Sequence, residues 1–427
     1  MKQSLVVASL LLSAAACGSD KSPPPPAAAG GTGAFGIVTV GGRQKMYLPL
    51  TELAPNGNGV VAVVDVGVPG HGTAGAPALV TDIDLGSPDV ATATGGDASV
   101  VIAVSTNNRN LWFIDPSADK VVGKLTLDTS YQASSFSGGG GFVTGVAIDS
   151  TNRRAILSVW NGFAIVDLDQ RKVTQNIIAA PSENFGFDSM RQRIIAPFYN
   201  CLAGTTGTPP PCDSYKGLDG SPMRDGLNVI DLGDGTVYTY QDPMAQNPAA
   251  PAGTEPDSAA ADPSSGIAIV PSEGDGWQNV IDLSQAHFDA AQKVVTAPHQ
   301  YIQNQGLTGV AIEPSQHWGF WEEEFSSQIG LADVVAASQG KANYLPADMP
   351  TLPDSSGWSN LGDPHGIAVS TALADGRSLG FVVDSGRKWV ARVDLGKMST
   401  LPHASALGMT GAELAPAVTF LDARSKP

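Results

Sequence analysis

Residues 144–178 read TGVAIDSTNRRAILSVWNGFAIVDLDQRKVTQNII. A small-residue stretch, Thr144-Gly145-Val146-Ala147-Ile148-Asp149, is followed by a turn and the apolar run Arg154 to Val159. Then comes an apolar strand closing on Val166-Asp167-Leu168, and finally Val173 to Ile178. Short β-branched runs bounded by turn chemistry read as strands. The stretch therefore predicts four short antiparallel strands in one unit.

The unit recurs. Apolar strands ending in Asp occur at Val64-Asp65-Val66, Ile114-Asp115-Pro116, Val166-Asp167-Leu168, Ile230-Asp231-Leu232, Ile281-Asp282-Leu283 and Val393-Asp394-Leu395, with a degenerate copy at Leu331-Ala332-Asp333. Successive aspartates are 50, 52, 64, 51, 51 and 61 residues apart. Asp suits a strand end because its carboxylate accepts backbone N–H groups of the next turn, so these residues read as structural. A small-residue strand precedes each of the last six: Asp89 to Thr92, Thr144 to Asp149, Glu183 to Asp188, Asp257 to Asp262, Thr308 to Glu313 and His365 to Val369. Four strands repeated at this length predict an all-β fold, a β-propeller of four-stranded antiparallel blades. Seven Asp-ended strands give seven blades, with a six-bladed closure as the alternative. Small residues suit the innermost strands, where several backbones crowd around the axis. The first blade is expected from Gly36–Val40, Lys45–Leu50, Val60–Val66 and Leu79–Leu85. The last strand, Ala417 to Leu421, is expected to complete a blade near the N-terminus.

These repeats resemble the propellers named for a Tyr-Val-Thr-Asn repeat and their lactonase-like and NHL relatives. The resemblance covers most of residues 35–425 and implies a fold rather than a function, since propellers host binding, scaffolding, hydrolysis and lyase chemistry alike. The blades here are longer, with surplus in loops such as Asn200–Asp225 and Gln241–Thr254.

Before the repeats, Lys2, an apolar run from Leu5 to Leu12 and the small residues Ser13 to Ala16 read as a secretory signal. The run is too short to span a bilayer, which needs about 20 apolar residues. Cys17 follows directly, and the segment resembles a bacterial lipoprotein lipobox, with Ala14 where that family prefers Leu. The resemblance implies cleavage before Cys17 and acylation of it. Two or more acyl chains suffice for stable anchoring. An ordinary signal peptide cut elsewhere is the alternative. The Pro/Gly-rich stretch that follows cannot bury a core and reads as a tether. The organisation expected is thus signal peptide 1–16, anchor and tether 17–34, and propeller 35–427. Gly18 after the cysteine implies, by family analogy, the outer membrane of a Gram-negative bacterium. Of three cysteines, Cys201 and Cys212 remain, flanking a Thr/Gly/Pro-rich loop of an exported chain. They read as a disulfide; two thiolates without a nearby His fall short of a metal site.

Charged residues are 15% of the chain and the net charge is −17. An acidic chain without basic clusters argues against nucleic acid as a partner. No GxSxG elbow, HExxH, P-loop or CxxC pair occurs. The segment His317 to Phe325 reads as a strand with aromatic packing and a solvated acidic turn, or else as a surface patch in which Trp318 and Trp321 stack a sugar or peptide. Aligning the small-residue strands places Asp89, Thr144, Glu183, Asp257, Thr308 and His365 around one channel rim. Such a ring could hold a divalent cation, Ca²⁺ or Zn²⁺, or be a wet polar rim holding only water. The sequence therefore leads to a lipid-anchored envelope propeller that binds a protein, glycan or peptide without catalysis. The alternative is a metal-dependent hydrolase or lyase, lactonase-like, working at the channel mouth.

Overall fold

The computed structural model describes residues 35–423 apart from 51–52, 67–78, 106–108, 129–130, 132–144, 200, 202–214, 218, 244, 246, 248–249, 304–306, 324–326, 342–343, 355–365, 371–376, 384–388 and 403–407. Seven sheets follow one another along the chain as a seven-bladed β-propeller, each blade built from four antiparallel strands in sequence order from the axis outward. Blade 1 is Gly36–Val40, Arg43–Pro49, Val60–Asp65 and Leu79–Asp84; blade 2 is Ala93–Gly96, Val101–Val104, Asn110–Asp115 and Lys120–Thr126. Blade 3 is Val146–Asp149, Arg154–Val159, Gly162–Asp167 and Lys172–Ile178; blade 4 is Gly186–Asp188, Arg193–Phe198, Gly226–Asp231 and Val237–Tyr240. Blade 5 is Ala260–Asp262, Ile267–Ser272, Trp277–Asp282 and His299–Gln303; blade 6 is Leu307–Glu313, Trp318–Glu323, Gln328–Asp333 and Leu345–Asp348. Blade 7 is Ile367–Ser370, Leu379–Val383, Trp389–Asp394 and Val418–Asp422. An insertion in blade 5 forms the hairpin His287–Asp289 and Val294–Thr296, which covers the outer edge of blade 4 by pairing Val294 and Val295 in parallel with Thr239 and Tyr240.

The hydrophobic pattern explains the stacking. Second and third strands are apolar on both faces because each blade is covered on both sides. Outermost strands such as Lys120–Thr126 instead alternate between exposed and half-buried residues. The core is thus a set of apolar layers between neighbouring blades. Val61, Val63, Trp112 and Ile114 fill the layer between blades 1 and 2; Ile269, Val280, Trp321 and Val334 fill that between blades 5 and 6. Small residues line the inner strands for want of room: a Cβ on Gly36 would stand 3.2 Å from the Gly95 backbone, and one on Gly186 would stand 3.0 Å from that of Ala260.

The aspartates at the third-strand ends do what their position implies. Asp115 accepts from the Ser117 amide at 2.8 Å, Asp167 from the amides of Asp169 at 2.9 Å and Gln170 at 2.7 Å, and Asp231 from Gly233 at 2.8 Å. Asp333 and Asp394 cap short helices that replace the turn, each through a 2.9 Å bond. The copy ending in Asp333 is therefore a full blade strand.

Two expectations are corrected. Val418–Asp422 pairs with Trp389–Asp394, completing blade 7 and not a blade near the N-terminus. Blade 1 already has its outermost strand, Leu79–Asp84, supplied locally. The seam between blades 7 and 1 is therefore held by side chains: Met46, Leu48, Val64 and Phe35 pack against Leu379, Phe381, Val390 and Leu421, and Arg392 Nη1 donates to the Val66 carbonyl at 3.1 Å. The second correction concerns blade 2, whose innermost strand is Ala93–Gly96 and not Asp89–Thr92.

Candidate functional site: the channel mouth

The two ends of the propeller are built differently. At one end the inner strands turn into the second strands through short hairpins, those of blades 2 to 6 closed by a carboxylate. Asp97 accepts from Ser99 and Val100, Asp149 from Asn152, Asp188 from Met190 and Arg191, Asp262 from Ser264, and Glu313 from Ser315 and Gln316. Neighbouring blades are tied together at this end. Lys45 Nζ donates to Asp119 at 2.7 Å, Arg153 Nη1 to Ser99 at 2.7 Å, Arg154 Nη2 to Gln192 at 2.6 Å and Arg191 Nη1 to the Pro263 carbonyl at 2.9 Å. His317 Nδ1 meets Asp262 at 2.6 Å.

Ser264, His317 and Asp262 have the composition of a catalytic triad but not its geometry. A nucleophilic serine must reach the imidazole nitrogen opposite the one that the aspartate orients. Ser264 Oγ instead lies 3.4 Å from Nδ1, the atom already bound to Asp262, and donates to that same carboxylate at 2.7 Å. The group is a clasp between blades 5 and 6.

The opposite end receives the loops that lead into the innermost strands, and the described parts of the long segments after Phe198 and after Tyr240 lie there. Register decides which rim candidates meet. The hairpin pairs Gly96↔Val101, Asp149↔Arg154, Asp188↔Arg193, Asp262↔Ile267 and Glu313↔Trp318 are equivalent, each enclosing the same short turn. Counting back five residues from the first member gives Thr144, Glu183, Asp257 and Thr308, but Ala91 in blade 2. Asp89 is two residues out of step. Its Oδ2 accepts from Asn110 Nδ2 at 2.6 Å, on the third strand, and Lys124 Nζ stands 3.9 Å away. The innermost strand of blade 2 begins at Ala93, in register with Val146 of blade 3, so the residue in step with Thr144 is Ala91.

The segments carrying Glu183 and Asp257, which lead into the innermost strands of blades 4 and 5, touch through the backbone. The Asn184 amide donates to the Asp257 carbonyl at 3.3 Å, and the Tyr199 hydroxyl hydrogen-bonds the Glu183 carboxylate. Thr308 lies in the innermost strand of blade 6. Thr144 and His365 lie outside the described residues. So do Cys17 and Cys212.

Trp318 and Trp321 do not form a surface patch. Trp321 is fully buried against blade 5, stacked on Tyr344 with centroids 5.4 Å apart, and Trp318 packs into the layer facing blade 7. The neighbouring Glu322 and Glu323 are buried as well, not in a solvated turn. A Cβ on Gly309 would stand 2.8 Å from Glu322 Oε1, and one on Gly366 would stand 3.9 Å from it. Those glycines directly follow Thr308 and His365. Glu322 thus brings a further carboxylate to the channel mouth. The signal for it was two adjacent glutamates ending a strand covered on both faces, which leaves both inside.

The long loop of blade 4 is anchored by Tyr215. Its hydroxyl accepts from the Ala180 amide and from Asn228 Nδ2, both at 3.1 Å, and its ring stacks on Phe198 at 4.9 Å. Burial pushes the Tyr215 hydroxyl up to about 12, so it stays protonated. Among the described residues no three His, Cys, Asp or Glu side chains converge on a point that could hold a metal ion.

No family model matches this chain, and no curated protein matches it. Among solved structures it is similar to a functionally unknown protein from Desulfotomaculum acetoxidans, at 12% identity and a TM-score of 0.51, over 79% of this chain and 89% of that one. A weaker likeness, TM-score 0.46 at 9% identity, is to KlHsv2 with loop 6CD replaced by a Gly-Ser linker, over 88% and 96% of the two chains. The first likeness bears on the fold alone. The resemblance to Tyr-Val-Thr-Asn and NHL propellers is not supported by any family match.

Proposed function

We propose that this chain is a binding propeller of the bacterial cell envelope, held to the membrane by an acylated Cys17, that engages a protein, glycan or peptide partner with its channel-mouth end. The observation that carries this reading is the asymmetry of the two ends. One is closed by short carboxylate-capped turns tied blade to blade; the other carries the long loops, which is where rigid scaffolds display recognition residues. The Cys201–Cys212 disulfide belongs to the same proposal. Cys201 supports it, being buried with Phe198, Tyr215 and Met223 and disulfide-bonded. A photo-crosslinking residue at the exposed Asn247 should give partner adducts in membrane fractions, while one at Gln170, in a turn at the other end, should give none. The Cys17→Ser variant should leave the membrane fraction. Equal adducts from both ends, or none from Asn247, would reject the reading.

A second reading, a divalent cation at the mouth that supports hydrolysis or lysis, draws on the carboxylates that the segments leading into the innermost strands carry at this end, Glu183 and Asp257. Ca²⁺ or Zn²⁺ bound only to the folded chain would raise its melting temperature. Asp257→Ala should then abolish that rise. No metal-dependent rise in the wild-type protein would dispose of this reading.

A further inference from the structure

The outer edge of blade 5 carries a feature that the channel mouth does not use. Trp277 and Tyr301 are 36% and 43% exposed, unusual for large aromatics in this chain. Both stand on the side of the blade facing blade 4, because Trp277, Asn279 and Ile281 alternate onto one face and pair with Gln303, Tyr301 and His299. Their rings meet at 68° with centroids 5.7 Å apart, and His299 meets Tyr301 at 74° and 4.7 Å. Three rings thus make a cornered wall.

Carboxylates surround this corner. Asp242 lies beneath, with Tyr301 Oη at 3.4 Å and His299 Nε2 at 3.3 Å. Asp275 sits at the lip, accepting from the Trp277 amide at 3.3 Å and the Thr254 amide at 3.1 Å. Burial foremost, then Asp242 and Asp275, raises the Tyr301 hydroxyl to about 12, so it stays neutral. Behind it the Tyr240 hydroxyl is buried without a hydrogen-bond partner. The negative charge of Asp242 helps keep that hydroxyl protonated too, after the larger effect of burial.

Both aspartates give charge to the corner while their oxygens already accept hydrogen bonds. A ligand fitted to it is positively charged and need not donate a hydrogen bond. Aromatic faces attract such a cation through their quadrupoles, more strongly where carboxylates add to the field. We infer that the corner formed by Trp277, Tyr301 and His299 over Asp242 and Asp275 is a binding site for a quaternary ammonium group.

The test uses the full chain at pH 8, above the ordinary histidine range of about 6.5. Choline and tetramethylammonium are titrated by calorimetry and by saturation-transfer NMR on their methyl protons. 3,3-Dimethylbutan-1-ol, the uncharged isostere of choline, and glucose serve as controls. Saturable binding of both cations is expected, weakened roughly tenfold by Trp277→Ala or Tyr301→Ala and far less by Trp277→Phe. Asp275→Asn should weaken it several-fold. Trp277 is partly exposed, so its truncation leaves the core intact, and an unchanged melting curve checks this. Binding to phosphatidylcholine vesicles as well as choline would mark a lipid headgroup as the source, and binding to choline alone a free solute; both sustain the assignment. Equal binding of the uncharged isostere, binding of glucose instead, no binding of either cation, or undiminished affinity in Trp277→Ala would overturn it.

Discussion

Phe381→Ala should cost about 3–5 kcal/mol of stability, the usual range for truncating a buried aromatic, and should open the ring at one seam. Phe381 is fully buried in the layer between blades 7 and 1. Among the described residues no strand crosses that seam, because Leu79–Asp84 completes blade 1 and Val418–Asp422 completes blade 7. The first and last blades are therefore joined by packing and by bonds such as that from Arg392 to Val66. A cavity here weakens the layer that closes the ring, whereas a cavity in another layer leaves continuous chain on both sides. Hydrogen exchange should accelerate first in Gly36–Val40 and Ile367–Ser370. Trp112→Ala, in the layer between blades 1 and 2, is the comparison, with a similar loss of stability but deprotection confined to those blades. Uniform acceleration through all seven blades in Phe381→Ala would refute the idea of a separable seam.

Asp262→Ala should be nearly as damaging, at roughly 3 kcal/mol, because it removes a buried carboxylate that several donors share. The carboxylate is fully buried and accepts from the Ser264 amide at 3.0 Å, Ser264 Oγ at 2.7 Å, Ser265 Oγ at 2.6 Å and His317 Nδ1 at 2.6 Å. Burial pushes its pKa up, but the bonds from Ser265, Ser264 and His317 outweigh burial and hold it below the ordinary value. A carboxyl whose folded pKa is depressed contributes stability that is complete above the unfolded value, about 3.9. That stability is lost as pH falls through the lower folded value. The melting-temperature gap between wild type and Asp262→Asn should therefore be level above about pH 5 and shrink below about pH 4. A gap unchanged down to the acid limit of folding would show that the carboxylate charge does not matter. His317→Gln keeps a donor near Asp262 and should cost less than Asp262→Ala.

The propeller was legible because the blade is a local object. Each four-stranded unit closes through short hairpins, so strand order follows chain order, and the Asp at the third-strand ends of blades 2 to 7 bonds amides two or three residues ahead. The same locality made the aspartates readable as structural from Asp115 to Asp394. The candidate rim was only partly legible. Asp89 is out of step by two residues, because the innermost strand of blade 2 begins at Ala93 and not at Asp89. Small residues and an apolar run do not by themselves mark where a strand begins.

The sequence by itself determined the repeat and the all-β class and favoured seven blades over six, since these depend on units about fifty residues long. Tertiary structure alone decided how the ring closes, because either end of the chain could supply an outer strand and only the pairing in space chooses. It alone turned Trp321, Glu322 and Glu323 inward, because burial on both faces of a blade comes from neighbours distant in sequence. And it alone set Asp242 beneath Tyr301 and His299, 59 residues apart along the chain in the case of Tyr301, since the end of the outermost strand of blade 4 must come against that of blade 5 before those side chains can meet.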